Sequence, residues 1–546
     1  MIPILSNKRA ILWILLISIP FYLGLGAVHL FDWDEINFAE SAREMLLSHD
    51  FMTVQIGFEA FWEKPPLFFW LQSLSMALFG VTEFAARLPN AICGTITLLV
   101  LYQLGNKIKN QSFGLIWAAI YLAALLPNFY FKFGIIDPVF NLFIFSSIFT
   151  LIEAENESVK SSFKYGIFAG LLNGLAVLTK GPVGFLLFLL TFVIYQIVTK
   201  FQKFPSYRLF VGFALAFALI VGTWFGLNIY FNGWEIFQHF IQYQIDLFTQ
   251  PVAGHKQPFY YHFILVLLGC FPMSFMALPA LRSSNHIATN LKTIRIWMLS
   301  LFWIVMILFT ITTTKIAHYS SMAYLPLSFL AAAFMHSCID SKQAAPKWMR
   351  NILFGFGLVL GALWFSVPFI FQNKSSWIHL LSKDQFAFDS FNIEVNWPVW
   401  ISIFGLIMIG LCFLAFKSAK RQNWVSFLVS LGGFSSIAML SLFFFILPRI
   451  EEYTQGPAIE FLQQKAGNKV YVATQGYKSY TNYFYFQFPN STNKELDHAD
   501  YLLDHPQDQP VFIITKSNFQ AAKDNPLLKF LYQKGGFRFY EKVDSK

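Results

Sequence analysis

Long apolar runs broken by short polar ones fill this chain from its beginning to about position 447. Runs of about 17 to 22 residues are long enough to cross roughly 30 Å of hydrocarbon as helix. They fall near 10–30, 86–106, 112–129, 136–153, 164–180, 183–199, 209–230, 261–281, 296–312, 319–338, 351–372, 398–416 and 425–447, which predicts thirteen spans. The first run is long and carries no small-residue cleavage pattern, so it is taken as a retained span rather than a signal peptide. Two segments between spans are longer, 31–85 and 231–260. Within the first, NFAESAREMLLSH (37–49) sets Phe38, Ala42, Met45 and Leu46 at helical spacing, with Glu40, Arg43 and Glu44 elsewhere around the turn. That is the pattern of a short amphipathic helix lying in the membrane interface. A second interfacial helix is predicted for PPLFFWLQSLSMALF, with Pro65 and Pro66 in its first turn, where no intrahelical N–H bond is needed.

From about Pro448 the pattern changes. PAIEFLQQKAG (457–467) has helical spacing and ends in glycine, while NKVYVAT, PVFIITK and FRFYEKV alternate as strands. PLLKFLYQKGG, before the last strand, has a helical pattern. The expected fold is an α-helical polytopic membrane domain over 1–447, its first outer loop at 31–85, followed by a small water-soluble α/β domain over 448–546.

Composition agrees with a membrane protein and excludes an ordinary water-soluble globule: 56% of residues are hydrophobic, 13% are charged and 66 are phenylalanine. The net charge of +9 would also suit a nucleic-acid binder, but its placement argues otherwise. With a cytoplasmic N-terminus, the loops on that side carry Lys107 and Lys109; Lys160 and Lys164; Lys200, Lys203 and Arg208; Arg282, Lys292 and Arg295; Lys342, Lys347 and Arg350; and Lys417, Lys420 and Arg421. Every such loop is basic, as the positive-inside rule requires, and no nucleic-acid partner is needed. An odd number of spans sends the C-terminal domain to the opposite, outer side. Cys93, Cys270, Cys338 and Cys412 sit in apolar stretches with neither disulfide nor metal-cluster spacing.

The outer side holds isolated ionisable groups: Asp32, Asp34, Glu35, Glu63, Lys64, Asp246, His255 and Lys256 in the long segments, with Asp137, Lys180, Lys315 and His318 in shorter turns. Such groups at a membrane boundary are costly unless paired or hydrated, so they are functional candidates. Structural roles compete for each. Asp34 and Asp137 can cap helices, Lys64 can snorkel to a headgroup and Glu63 can pair with Lys64. His255 is one histidine in a polar loop, Lys180 can complement a helix dipole, and Lys315 and His318 can anchor at the interface.

Taken in order, DWDEINFAESAREMLLSHDFMTVQIG, FWEKPPLFFWLQSLSMALFGVTEFAARLPNA, LTKGP and HKQPFYYH resemble the bacterial inner-membrane glycosyltransferases of the GT-C superfamily. Within it they resemble the branch of lipid A aminoarabinose transferase and protein O-mannosyltransferases. The resemblance is strongest over about 30–105. It implies the GT-C fold and transfer of a sugar from a polyprenyl-phosphate donor to a lipid A, glycan or protein acceptor on the periplasmic face of the inner membrane. It implies Asp34 and Asp137 as catalytic carboxylates and Lys64, Lys180 and Lys315 as donor-phosphate contacts. Glu35, Arg87, His318 and Tyr319 become substrate contacts, and Glu63 with His255 a possible divalent-metal pair. Two departures stand out. Asn37 occupies a position where the family commonly has arginine, and TKIAHYSSMAYLPL replaces the usual Ser-Lys followed by Tyr-Ile-Leu-Pro.

The chemistry can be argued independently. A polyprenyl phosphate is already a good leaving group, so the enzyme needs a base for the nucleophile and cations for the departing phosphate. Asp34 and Lys64 are of those types. One carboxylate suffices for an inverting single displacement. A transporter or flippase of a lipid-linked sugar, or a non-catalytic binding subunit, is the alternative. Paired half-repeats with broken midplane helices would favour transport, and turnover lost in Asp34→Asn would favour the enzyme.

Overall fold

The structure, a computed structural model, describes residues 8–155, 159–250, 257–285, 287–489 and 493–543. Among them, nine helices are long and apolar enough to cross a membrane: Glu83–Ile108, Asp137–Ala154, Ser161–Lys180, Tyr207–Asn232, Thr289–Ile311, Ala317–Asp340, Lys347–Gln372, Val399–Lys420 and Trp424–Tyr453. A tenth is formed if Tyr261–Gly269 and Met273–Arg282, bent by 115° at the break containing Pro272, make one span. Nine or ten of the thirteen expected runs are thus long and apolar enough by themselves, among the described residues. Three of the predicted runs are helical but short. The first ends at Ser18 and passes into a tight turn over Ile19–Phe21, where Pro20 cannot donate the next backbone hydrogen bond. Gln111–Ala123 breaks at Ala124 before Leu125–Tyr130 resumes the helix, and Val183–Val198 has 16 residues. Hydropathy averaged over a window cannot detect such breaks.

The basic loops gather at one end of the bundle. There Lys107 pairs with Glu153 at 2.8 Å and Lys203 with Glu155 at 3.3 Å, both acids lying at the end of the Asp137–Ala154 helix. The same helix begins at the opposite end with Asp137, which meets the last residue of the Val159–Lys180 helix. Close helix crossings hold the bundle. A Cβ on Gly170 would lie 2.2 Å from the Phe213 carbonyl oxygen and one on Gly166 2.1 Å from that of Leu209. The helices Val159–Lys180 and Tyr207–Asn232 therefore touch backbone to backbone, as small residues four apart permit.

In the first outer loop the two expected helices form, over Asp34–Ser48 and Leu67–Phe79, with Pro66 capping the second rather than lying in its first turn. The first does not lie in the interface. Glu35 through Met45 are all buried, because the C-terminal region covers the face that an interfacial helix would give to headgroups. Leu30, Ile36, Ala39 and Ala42 share one hydrophobic core with Ile459, Leu462, Phe484 and Phe539. Arg43 donates to the Phe488 carbonyl at 3.0 Å, and the Leu30 amide donates to the Tyr485 hydroxyl at 2.6 Å.

Beyond the last long helix, Gly456–Lys465 is helical and four strands form a sheet in the order Tyr471–Gln475, Val511–Lys516, Phe537–Lys542, Leu528–Lys534. The first pair is parallel and the others antiparallel. Residues 528–534, expected as helix, are a strand. Phe530 pairs with Tyr540 and Tyr532 with Phe539 across a hairpin closed by Gly535 at φ 57°, so cross-strand pairing overrides the local helical pattern.

Candidate active site

At the end of the bundle opposite the basic loops, a cavity of about 360 Å³ opens between the membrane helices, the first outer loop and the C-terminal region. Asp34 enters it from the first turn of its helix. No side-chain hydrogen bond caps that helix, and among the described residues the Asp34 carboxylate accepts no hydrogen bond, so capping does not consume it. Its side chain is 33% exposed, with His318 Nε2 at 3.6 Å from Oδ2.

Glu63 and Lys64 reach the cavity from the segment before the Leu67–Phe79 helix, as do Lys180 from a helix C-terminus and His318 and Tyr319 from the turn opening Ala317–Asp340. The Tyr243 hydroxyl donates to Glu63 Oε2 at 2.6 Å and the Gln244 amide to the Glu63 carbonyl at 3.3 Å, which fixes this segment. The Lys64 ammonium stands 3.9 Å from Glu63 and 5.0 Å from the centre of the Tyr243 ring. Burial pulls its pKa below the ordinary lysine value, opposed by the charges of Glu63 and Asp34 and assisted by Lys180. A buried cation without a tight carboxylate partner is suited to an anionic ligand. Lys180 is already engaged by Asp137 at 2.5 Å, and Asp137 lies just behind the cavity wall, 2% exposed, with His318 Nε2 at 3.7 Å.

Asp34, Glu63, Lys64, Lys180, His318 and Tyr319 thus converge, with Asp137 behind them. Three expected contacts do not. Glu35 and Arg87 form a buried ion pair in which Arg87 donates at 2.8 and 2.9 Å, while the Phe31 and Gly134 amides donate to the same carboxylate at 2.9 and 2.7 Å. The rest of the guanidinium is taken by the carbonyls of Leu25, Val28 and His29. With every donor and acceptor engaged, this pair serves to join the turns that carry Asp34 and Asp137, correcting its assignment as a substrate contact. Lys315 is buried and donates to the Thr312 carbonyl at 2.6 Å instead of lining the cavity, which corrects its assignment to phosphate. His255 lies outside the described residues. Among the described residues no three His, Cys, Asp or Glu side chains gather as a metal site. Of the expected pair, Glu63 reaches the cavity.

Trp33, Tyr243, Gln244, Lys478 and Tyr480 also line the cavity and escape the sequence reading. Lys478 lies over the rings of Trp33 and Tyr480, 5.3 and 5.5 Å from their centres, and Asp32 accepts from the Tyr480 amide at 3.3 Å. Trp33 adjoins Asp34, and Tyr243 and Gln244 lie in the long segment 231–260, the signals that could have found them. Nothing local marks Lys478, whose place depends on how the C-terminal region docks.

A carboxylate and lysines thus face one another in a cavity at one end of a polytopic bundle, an arrangement suited to an anionic substrate. The profile of the dolichyl-phosphate-mannose-protein mannosyltransferase family matches residues 63–224. Undecaprenyl phosphate-alpha-4-amino-4-deoxy-L-arabinose arabinosyl transferase of Pectobacterium atrosepticum is 27% identical over 386 residues, 68% of this chain and 67% of that one. The enzyme of the same name from Pectobacterium carotovorum is 26% identical, over 66% of this chain and 65% of its own length, so the matches span about two thirds of these relatives. ArnT from Cupriavidus metallidurans, solved bound to undecaprenyl phosphate, superposes with a TM-score of 0.76 at 18% identity over 99% of both chains. The archaeal oligosaccharyltransferase AglB of Archaeoglobus fulgidus superposes with a TM-score of 0.50 at 11% identity, over 98% of this chain and 74% of that one. The chain has the GT-C fold of membrane glycosyltransferases. In sequence it is similar to the undecaprenyl phosphate-alpha-4-amino-4-deoxy-L-arabinose arabinosyl transferases of Pectobacterium.

Proposed function

We propose that this protein transfers a sugar from a polyprenyl-phosphate donor to an acceptor at the outer face of a bacterial inner membrane. The observation that carries the reading is the meeting of Asp34 with Lys64 in one cavity at the membrane boundary. Lys64 binds the carrier phosphate and stabilises the charge it gains as the bond to the sugar breaks. Asp34 faces the acceptor and receives its proton. Glu63 is hydrogen-bonded to Tyr243 and Asp137 is paired with Lys180 behind the wall, whereas Asp34, with His318 at 3.6 Å, is the lining carboxylate that accepts no hydrogen bond among the described residues. One free carboxylate suits a single inverting displacement better than a covalent glycosyl intermediate. The acceptor is a lipid, glycan or protein, with lipid A favoured by the relatives' branch.

Sidedness belongs to the same proposal. The basic loops mark the cytoplasmic end and the cavity the periplasmic end, where Lys478 and Tyr480 of the C-terminal region line it. The test is turnover by the purified protein in lipid nanodiscs, with undecaprenyl-phosphate aminoarabinose as donor and lipid A as acceptor. Transfer is expected, with a loss of about two orders of magnitude or more in Asp34→Asn while donor binding survives. Binding without transfer in the unmodified protein would favour a carrier or binding subunit. A divalent ion shared by Glu63 and His255 remains part of the proposal, tested by elemental analysis. Equal metal content in Glu63→Gln and unmodified protein would remove it.

A further inference from the structure

The lysines that line the cavity are held in different ways. Lys180 is paired with Asp137 at 2.5 Å, and Lys64, with a side chain only 14% exposed, stands 3.9 Å from Glu63. Lys478 is exposed and, among the described residues, is paired with no carboxylate. Asp32, the acid that reaches the same segment, accepts instead from the Tyr480 amide at 3.3 Å. The Lys478 ammonium lies over two rings, 5.3 Å from the centre of Trp33 and 5.5 Å from that of Tyr480, and those rings meet edge to face at 4.9 Å and 78°. The turn beneath it is firmly seated. Gly476 has φ 80° and is pressed so close to Phe519 that a Cβ there would lie 2.4 Å from its ring, while Ser479 and Tyr480 are buried. A fixed turn of the C-terminal region thus presents one cation and an aromatic corner to the cavity.

We propose that Lys478, with Trp33 and Tyr480, is the acceptor subsite, and that it selects a saccharide carrying a phosphate. This rests on the glycosyltransferase reading of the same cavity. The two cations free of a tight carboxylate then divide the substrates between them. Lys64 stands at the entrance of the Leu67–Phe79 helix and is largely buried, as suits the phosphate of a lipid carrier. Lys478 is exposed on a region that belongs to no membrane helix, as suits an acceptor headgroup arriving from water. The rings supply flat apolar faces on which the C–H groups of a sugar pack, with polar edges left for its hydroxyls. An ammonium binds phosphate as a compact point charge, whereas a planar carboxylate is matched better by the fork of an arginine. Trp33 is 37% exposed and immediately precedes Asp34, so a sugar lying on its ring has its reacting oxygen beside the carboxylate that receives the proton. Lys478 is therefore a specificity-determining and positioning residue, and the chemistry of transfer stays with Asp34 and Lys64.

The experiment measures KM and kcat for lipid A in nanodiscs, with undecaprenyl-phosphate aminoarabinose as donor, alongside binding of undecaprenyl phosphate. Lys478→Met keeps the stem that covers the rings and removes only the charge. It should raise KM for lipid A about tenfold, the worth of one charge-assisted contact, with kcat and undecaprenyl phosphate binding within about twofold. Lys478→Arg should restore most of the affinity. Raising salt from about 50 to about 300 mM should raise KM several-fold in the unmodified protein and little in Lys478→Met, because the contact that salt screens is already gone. An unchanged KM in Lys478→Met, or an equal salt response in the two proteins, overturns the subsite. So does weakened undecaprenyl phosphate binding, which would place Lys478 on the donor, or an Lys478→Arg variant no better than Lys478→Met. A protein that binds undecaprenyl phosphate but does not use lipid A overturns the subsite and leaves the donor reading standing. One that neither binds undecaprenyl phosphate nor turns over overturns the functional reading itself, and the subsite falls with it.

Discussion

Removing Glu35 should unfold the scaffold that brings Asp34 to Asp137, without touching substrate. Its carboxylate receives two donors from Arg87 and the amides of Phe31 and Gly134, all within 2.9 Å and all but the Phe31 contact buried. Glu35→Ala would leave a guanidinium, itself fully buried, without its counter-charge and two amides without partners. Breaking a buried pair from one side costs about 3–5 kcal/mol, a large share of a total stability of about 5–15 kcal/mol. At about 1.4 kcal/mol per factor of ten, the unfolded fraction should rise at least about 10²-fold. The assay is thermal unfolding of detergent-solubilised protein followed by size exclusion, with donor and acceptor KM measured on whatever fraction stays folded. Glu35→Ala and Arg87→Ala should each lower the midpoint strongly. Glu35→Leu combined with Arg87→Met should recover part of it, because neither charge is then stranded, although the carbonyls of Leu25, Val28 and His29 still lose their donor. The reasoning is refuted if Glu35→Gln unfolds at the temperature of the unmodified protein while raising KM for the donor, which would make Glu35 a substrate contact after all.

Lys64→Ala should weaken undecaprenyl phosphate binding and slow transfer, since the leaving phosphate loses a buried cation, and Lys64→Arg should restore only part because a planar fork does not replace a compact ammonium. Undiminished binding by Lys64→Ala in a ligand-depletion assay would refute this. Glu44 is raised to about 9, first by burial and then by the charge and hydrogen bond of Glu40, with one guanidinium, Arg43, between two carboxylates. Its folded value lies above its unfolded one, so the stability it contributes is full below about pH 4.5 and is lost as pH rises toward 9. Thermal midpoints should fall across that window more steeply in the unmodified protein than in Glu44→Gln, and equal slopes would refute the raised value. Gly170→Leu, whose Cβ would meet the Phe213 carbonyl oxygen at 2.2 Å, should destabilise by about 1–3 kcal/mol or more, read as a lower thermal midpoint, with donor binding per folded molecule unchanged.

Much of the architecture is legible because membranes impose a simple demand: a spanning helix must be long and apolar, and its cytoplasmic ends basic. Each of the thirteen apolar runs does contain helix, and the basic loops do share one end. What the hydropathy pattern misses is where a helix stops, as at Ala124 and Pro20, since a break alters backbone hydrogen bonding and hardly alters apolarity. The strand over Leu528–Lys534 is missed for another reason: its partners, Phe539 and Tyr540, lie in the next strand of a hairpin and not within the segment's own period.

The candidate site divides along the same line. Sequence alone singled out Asp34, Lys64, Lys180 and His318, because charge between apolar runs is conspicuous. Tertiary structure decided which of those charges are free. Glu35 differs from Asp34 by one position and by every contact it makes: helical rotation turns it inward to Arg87, while Asp34 faces the cavity. Lys478 and Tyr480 reach the same cavity only because the C-terminal region docks on the helix Asp34–Ser48, and His318 stands between Asp34 and Asp137 only because three separate chain segments meet there. Periodicity and composition describe a segment's own preference for its solvent; proximity between distant segments is a property of packing, and no local pattern encodes it.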